Sequence, residues 1–204
     1  MHFPLRADPA GMLEPRILAK PALRLEMLWD GQADAPWRYE GEGSHAFAEA
    51  ALCLETNAAA AEWPEGEPSH GRYATFGSYT AHLDLRGRET AQYNCLVFQI
   101  KPECDGLHSP CIRVGFVNDG EKKIPDAYSR EGFHCINLTN NRWNTCVWEF
   151  DSIPHDRMTE LFFRVHKYGR ELTASTTLRY QIRAIELREV AVPETTLGWQ
   201  GRQG

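Results

Sequence analysis

The sequence predicts an all-β protein, an antiparallel β-sandwich or barrel with about eight to ten strands. Three observations point there. Short runs rich in Val, Ile, Phe, Tyr and Trp recur from residue 72 to 190, divided by brief connections bearing Gly, Pro, Asn or Asp. Several of these runs alternate apolar and polar residues, the period of a half-buried strand. No segment carries the spacing of an amphipathic helix of ordinary length.

The elements follow in order. Residues 1–22 hold four prolines and read as an extended lead-in. LRLEMLW (23–29) alternates and reads as a strand, whereas ADAPWRYEGEGS (33–44) reads as a loop. HAFAEAALCLETNAAAAEWP (45–64) has the alanines of a helix, but AALCLET within it reads as a strand and NAAAAEWPEGEPSHG as a long loop. Then come YATFGSYTAHLDL, NCLVFQIKP, CIRVGFVND, FHCINL, WNTCVWEFD, MTELFFRVHKYG and LRYQIRAIELREV. The sandwich is expected to span 23–192, with 193–204 as a tail or cut linker.

Alternation assigns faces. Ile112, Val114 and Phe116 oppose Arg113, Gly115 and Val117. Leu161, Phe163 and Val165 oppose Phe162, Arg164 and His166. Tyr180 and Ile182 oppose Gln181 and Arg183, with a register change near Ala184. One sheet is thus expected to carry Arg113, Arg164, His166, Gln181 and Arg183 away from the core. In NNRWNTCVWEF, Trp143 and Trp148 stand five residues apart, so at most one enters the core. His155, Asp156 and Arg157 occupy a Pro-containing corner and read as turn-forming residues, not as a catalytic group.

Composition excludes several classes. The chain has 204 residues, 42% of them hydrophobic and 11% aromatic, which suits one large domain with a packed core. A net charge of -6 and the lack of a basic run argue against nucleic acid as a partner. No apolar stretch reaches the roughly 18 residues of a membrane span. MHFPLRADPAGMLEP lacks the pattern of a secretion signal, so the chain is expected in the cytoplasm unless a signal lies upstream. The six cysteines form no C-x-x-C pair. Cys53, Cys95, Cys135 and Cys146 lie in apolar runs and read as buried thiols, while Cys104 and Cys111 flank a loop and could pair in an exported protein. Histidines and carboxylates show no metal-ligand spacing, and Glu40 and Glu42 read either as a loop cation site or as solvated. Nucleophile-elbow, phosphate-loop and dinucleotide motifs are absent.

INLTNNRWNTCVWEFDSIPHDRMTELFFRVHKYGRE followed by YQIRAIELREV resembles the C-terminal half of β-jelly-roll, galactose-binding-like domains, which include many carbohydrate-binding modules attached to glycoside hydrolases. The resemblance covers roughly residues 70–190 and implies an antiparallel β-sandwich of jelly-roll type. It implies a module that binds a glycan beside a catalytic domain in a longer chain. Those domains often place a calcium-ligating Asp on the last strand. Here the matching positions are Arg183 and Ala184, and a cation beside Arg183 is disfavoured, so no cofactor is expected.

A sugar site needs aromatic faces for pyranose C–H groups and polar side chains for hydroxyls. The loop aromatics Trp37, Trp63 and Tyr128 are the candidates for stacking. Arg113, Asn118, Arg130, His134 and Arg164 are the candidates for hydrogen bonds. Two rival readings remain: an interaction module that packs on a partner domain without binding sugar, and a jelly-roll lyase or glycoside hydrolase using His134, Arg164 and His166.

Overall fold

Alternating side chains need two apolar faces turned toward one another, and the chain meets that need with two antiparallel sheets. The structure, a computed structural model, describes residues 6–8, 21–32, 35–57, 78–107, 110–121, 131–151, 153–166 and 176–191; for 6–8 and 131–136 it describes the backbone only. The described strands are β1 (Arg6–Asp8), β2 (Ala22–Trp29), β3 (Trp37–Glu40), β4 (Ser44–Ala48), β5 (Ala51–Asn57), β6 (Ser78–Asp84), β7 (Cys95–Cys104), β8 (Cys111–Asn118), β9 (Glu131–Asn137), β10 (Asn144–Glu149), β11 (Met158–His166) and β12 (Thr177–Val190). No helix occurs among the described residues.

One sheet has seven strands in the order β1-β10-β7-β12-β5-β4, with β2 also paired to β12. The other has five, in the order β3-β6-β11-β8-β9. The inner faces meet through aromatic contacts between sheets. Phe98 on β7 meets Phe163 on β11 edge-on at 5.2 Å, and Trp148 on β10 meets Phe116 on β8 at 5.5 Å. Trp148 is fully buried, whereas Trp143 lies half-buried on the outer face with the Arg183 guanidinium 3.9 Å above its ring.

The nine main runs read from the sequence all became strands. Three further short strands arose where none was expected. ADAPWRYEGEGS contains β3, which pairs with β6. Gly41, just after it, sits at φ +91° with Ser78 O where a Cβ would stand, so the turn excludes other residues. The alanine-rich stretch after residue 45 begins with β4, joined to β5 by the two-residue turn Glu49–Ala50. Arg6–Asp8 of the lead-in pairs with β10. The loop 58–71, the tail 193–204 and the YATFG start of the third expected run, which became β6, lie outside the described residues.

The Glu49–Ala50 turn has φ values of 52° and 56°, the left-handed region that favours Asn-Gly in such hairpins. Replacing the pair with Asn-Gly is expected to raise stability by about 1 kcal/mol, read as a higher thermal midpoint. No rise would mean the turn is already relaxed.

The register change expected near Ala184 is a bulge. Ala184 has φ 51°, and pairing with β7 slips between Arg183 and Glu186. There β12 changes neighbour, from β5 through Ile182 to β2 from Ile185 onward.

Candidate functional site

The polar row expected on one sheet is split between two. Arg113, Arg164 and His166 lie on β8 and β11 of the five-stranded sheet, while Gln181 and Arg183 lie on β12 of the other. Alternation assigns a residue to a face of its own strand but does not say which strands share a sheet. On the seven-stranded sheet, Gln181 bonds Glu103 at 2.9 Å and Arg183 bonds Gln99 at 2.8 Å, in an ordinary half-exposed network.

The outer face of the five-stranded sheet differs. Register places Glu40, Thr80, Arg164 and Arg113 in one row and Arg38, His82, Phe162 and Gly115 in the next. An outward face normally meets water. Yet Thr80, His82, Phe162 and Arg164 are 2%, 5%, 1% and 8% exposed. This face is sheltered, and its polar groups are held in fixed positions. Arg164 Nε donates to Thr80 Oγ1 at 3.3 Å, and its guanidinium lies 4.8 Å from the centre of the Phe162 ring. Arg113 is its cross-strand neighbour.

Beside that pair stands a ring of four ionisable side chains, Arg38, Glu40, His82 and Glu160. A carboxylate only accepts, so His82 donates from Nδ1 to Glu160 Oε1 at 2.6 Å. His82 Nε2 lies 3.3 Å from Glu40 Oε2 without making a hydrogen bond. Arg38 closes the ring, donating to Glu160 Oε2 at 3.0 Å and to Glu40. Burial alone would push the Glu160 carboxyl up, but the bonds from His82 and Arg38 outweigh it and hold the group below its ordinary value of 4.5. An acid held low in the folded state stabilises it above its ordinary value, and that stabilisation is lost as pH falls below 4.5 and through the folded value. Urea midpoints measured downward through that range should therefore fall less steeply in Glu160→Gln. Parallel slopes would show that the ring contributes nothing.

The other expected site residues fall in several places. Trp37 is on β3, not in a loop; its ring meets Trp29 edge-on at 5.4 Å and lies 6.3 Å from Phe163, against the core. Asn118 ends β8, buried, donating to Asp156 Oδ1 at 2.8 Å and accepting from Arg157 N at 2.8 Å. Asp156 also accepts from Glu121 N, so the His155–Arg157 corner clamps the end of β8 to the start of β11. His134, on β9, pairs with Val114, one register step from the Arg113 row. Trp63, Tyr128 and Arg130, with Tyr73 and Phe76, lie outside the described residues. The sequence reading passed over Arg38, Thr80, His82 and Glu160. TAHLD alternates polar and apolar residues, a signal that could have placed Thr80 and His82 on this face.

Cys53, Cys95, Cys104, Cys111 and Cys146 are free thiols. Burial pushes those of Cys104 and Cys146 up, away from the reactive thiolate. Among the described residues no group of three His, Cys, Asp or Glu is placed to hold a metal ion, and no helix is long and apolar enough to cross a membrane.

No protein-family model matches the sequence, and no curated protein matches it. Solved structures match the fold. A family 11 carbohydrate-binding module from Clostridium thermocellum, in complex with a β-1,3-1,4-mixed-linked tetrasaccharide, aligns with a TM-score of 0.50 at 14% identity, over 83% of this chain and 98% of that one. A family 11 module of a cellulosomal cellulase from the same organism gives 0.49 at 12%, over 85% and 99%. A xylan-binding domain from Paenibacillus barcinonensis gives 0.46 at 11%, over 86% and 98%. The first of these matches, set beside the two antiparallel sheets, shows that the chain has the β-sandwich fold of carbohydrate-binding modules.

Proposed function

We propose that the chain is a noncatalytic carbohydrate-binding module that holds a glycan against the outer face of its five-stranded sheet. The observation that carries this reading is the sheltered polar face itself: Arg164 fixed between Thr80 and Phe162, with Arg113 beside it. Positioned guanidinium donors suit sugar hydroxyls, which offer many acceptors and no charge. Trp63 and Tyr128 would supply the stacking faces, and Arg130 a further donor. Trp37 and Asn118 serve as the frame, one against the core and one in the corner clamp. Joined to a catalytic domain, such a module would raise the local concentration of substrate.

A glycan-array screen of the purified chain, run beside Trp63→Ala and Tyr128→Ala, tests this. Binding to a defined glycan that either change weakens about tenfold or more supports the reading. A folded chain that binds no glycan would overturn it.

A further inference from the structure

Strand β2 stands at a sheet edge. It pairs with β12 on one side, and among the described residues no strand pairs with its other side. Its alternate side chains Leu23, Leu25 and Met27 are 63%, 53% and 43% exposed. The register sets Met27 beside Glu186 and Leu25 beside Arg188, on the outer face of the seven-stranded sheet. Pairing is regular from Arg24 to Met27, with no proline in the strand. Register shifts flank that stretch, and Arg24 and Glu26 share the face of buried Leu187, so the edge is partly blunted, but its outer face still carries an exposed apolar row.

We propose that β2 pairs antiparallel with β2 of a second copy about a two-fold axis at Leu25, joining two seven-stranded sheets into one. The order of side chains selects this occupant. Centred on Leu25, the pairing sets Arg24 of each copy opposite Glu26 of the other. It also sets Leu23 opposite Met27, and Leu25 opposite itself. The apolar row thus meets an apolar row, and both charge pairs are complementary. Moving the axis to Arg24 or Glu26 places like charges opposite each other, which destabilises a ladder. A slip of one residue turns the apolar row of one copy onto the charged row of the other. The charges are already held at the edge: Arg24 lies 3.2 Å from Glu189, and Glu26 lies 2.7 Å from Arg88. Such a contact is isologous and closes at two copies. It involves only the seven-stranded sheet and does not touch the outer face of the five-stranded one.

The test uses the 204-residue chain. Light scattering over a dilution series should show a mass rising toward two copies with concentration. Leu25→Lys should weaken association about tenfold or more without lowering the thermal midpoint at dilutions where the parent is a single copy, because Leu25 is exposed in one copy. Under mild oxidation Leu25→Cys should cross-link to itself, since directly opposed residues lie within disulfide reach. Leu23→Cys alone should not, but a mixture of Leu23→Cys and Met27→Cys should. A single-copy mass at every concentration, a dimer that survives Leu25→Lys, or equal self-linking at 23 and 25 overturns the proposal. A monomer whose Leu25→Lys variant melts early also overturns it, placing a segment of the same chain over β2.

Discussion

Replacing Trp148 with alanine is expected to lower the unfolding free energy by about 3–5 kcal/mol. The side chain is fully buried on β10 and sits among Phe116 at 5.5 Å and Phe150 at 5.4 Å. Those two rings are themselves 5.1 Å apart, so the three close one end of the contact between sheets. Both sheets supply residues here, and neither can move in to fill the space without breaking its own ladder. The loss should appear as a lower urea midpoint at unchanged slope. Trp143→Ala is the internal control. It removes a half-buried ring on the outer face and its contact with Arg183, so its cost should stay near 1 kcal/mol. Equal losses at the two positions would contradict the assignment of faces.

The second large effect is expected at Asn144, a fully buried amide. Its Nδ2 donates to Arg142 O at 2.8 Å, to Thr139 O at 3.0 Å and to Ile100 O at 3.3 Å, while Oδ1 accepts from Thr139 N at 3.0 Å. The side chain closes the TNNR turn and ties it to β7. Asn144→Leu keeps the number and branching of the heavy atoms and removes every one of these bonds. Each buried backbone group left unpaired costs about 1–3 kcal/mol, so a total of about 3 kcal/mol or more is expected. Asn140, within the same turn, does similar work. It accepts from Cys104 N at 3.0 Å and donates to Cys104 O at 2.7 Å and Leu107 O at 2.8 Å, although only half-buried. Asn140→Ala should therefore cost less than Asn144→Leu. The reverse order would mean that burial does not set the cost here.

These residues also show what can be read from a sequence of this kind. Alternation in CIRVGFVN, LFFRVHKY and LRYQIRAIEL placed the inner and outer side chains of β8, β11 and β12 correctly, because a half-buried strand imposes a two-residue period. It also located the Ala184 bulge, where the period breaks. β4 was missed because its turn is Glu49–Ala50 and carries no Asn or Gly to mark it, and because alanines suggest no strand. β3 was missed because a four-residue strand between Pro36 and Gly41 looks like a loop. The site was half legible. Arg113 and Arg164 were found as outward residues, but Gln181 and Arg183 were grouped with them although another sheet holds them. Sheet membership comes from long-range pairing, which period alone does not encode. The ring of Arg38, Glu40, His82 and Glu160 draws on three strands, and one of these was read as a loop.

Calorimetric titration of a glycan identified by the array, against the parent chain, Arg113→Ala and Arg183→Ala, decides which sheet face binds it. The two arginines stand on outer faces of opposite sheets. A donor lost from the binding face should weaken affinity about tenfold or more through hydrogen bonds to a charged group. That loss is expected for Arg113→Ala, with unchanged affinity for Arg183→Ala. Retained binding in Arg113→Ala with loss in Arg183→Ala would contradict it and move the site to the seven-stranded sheet.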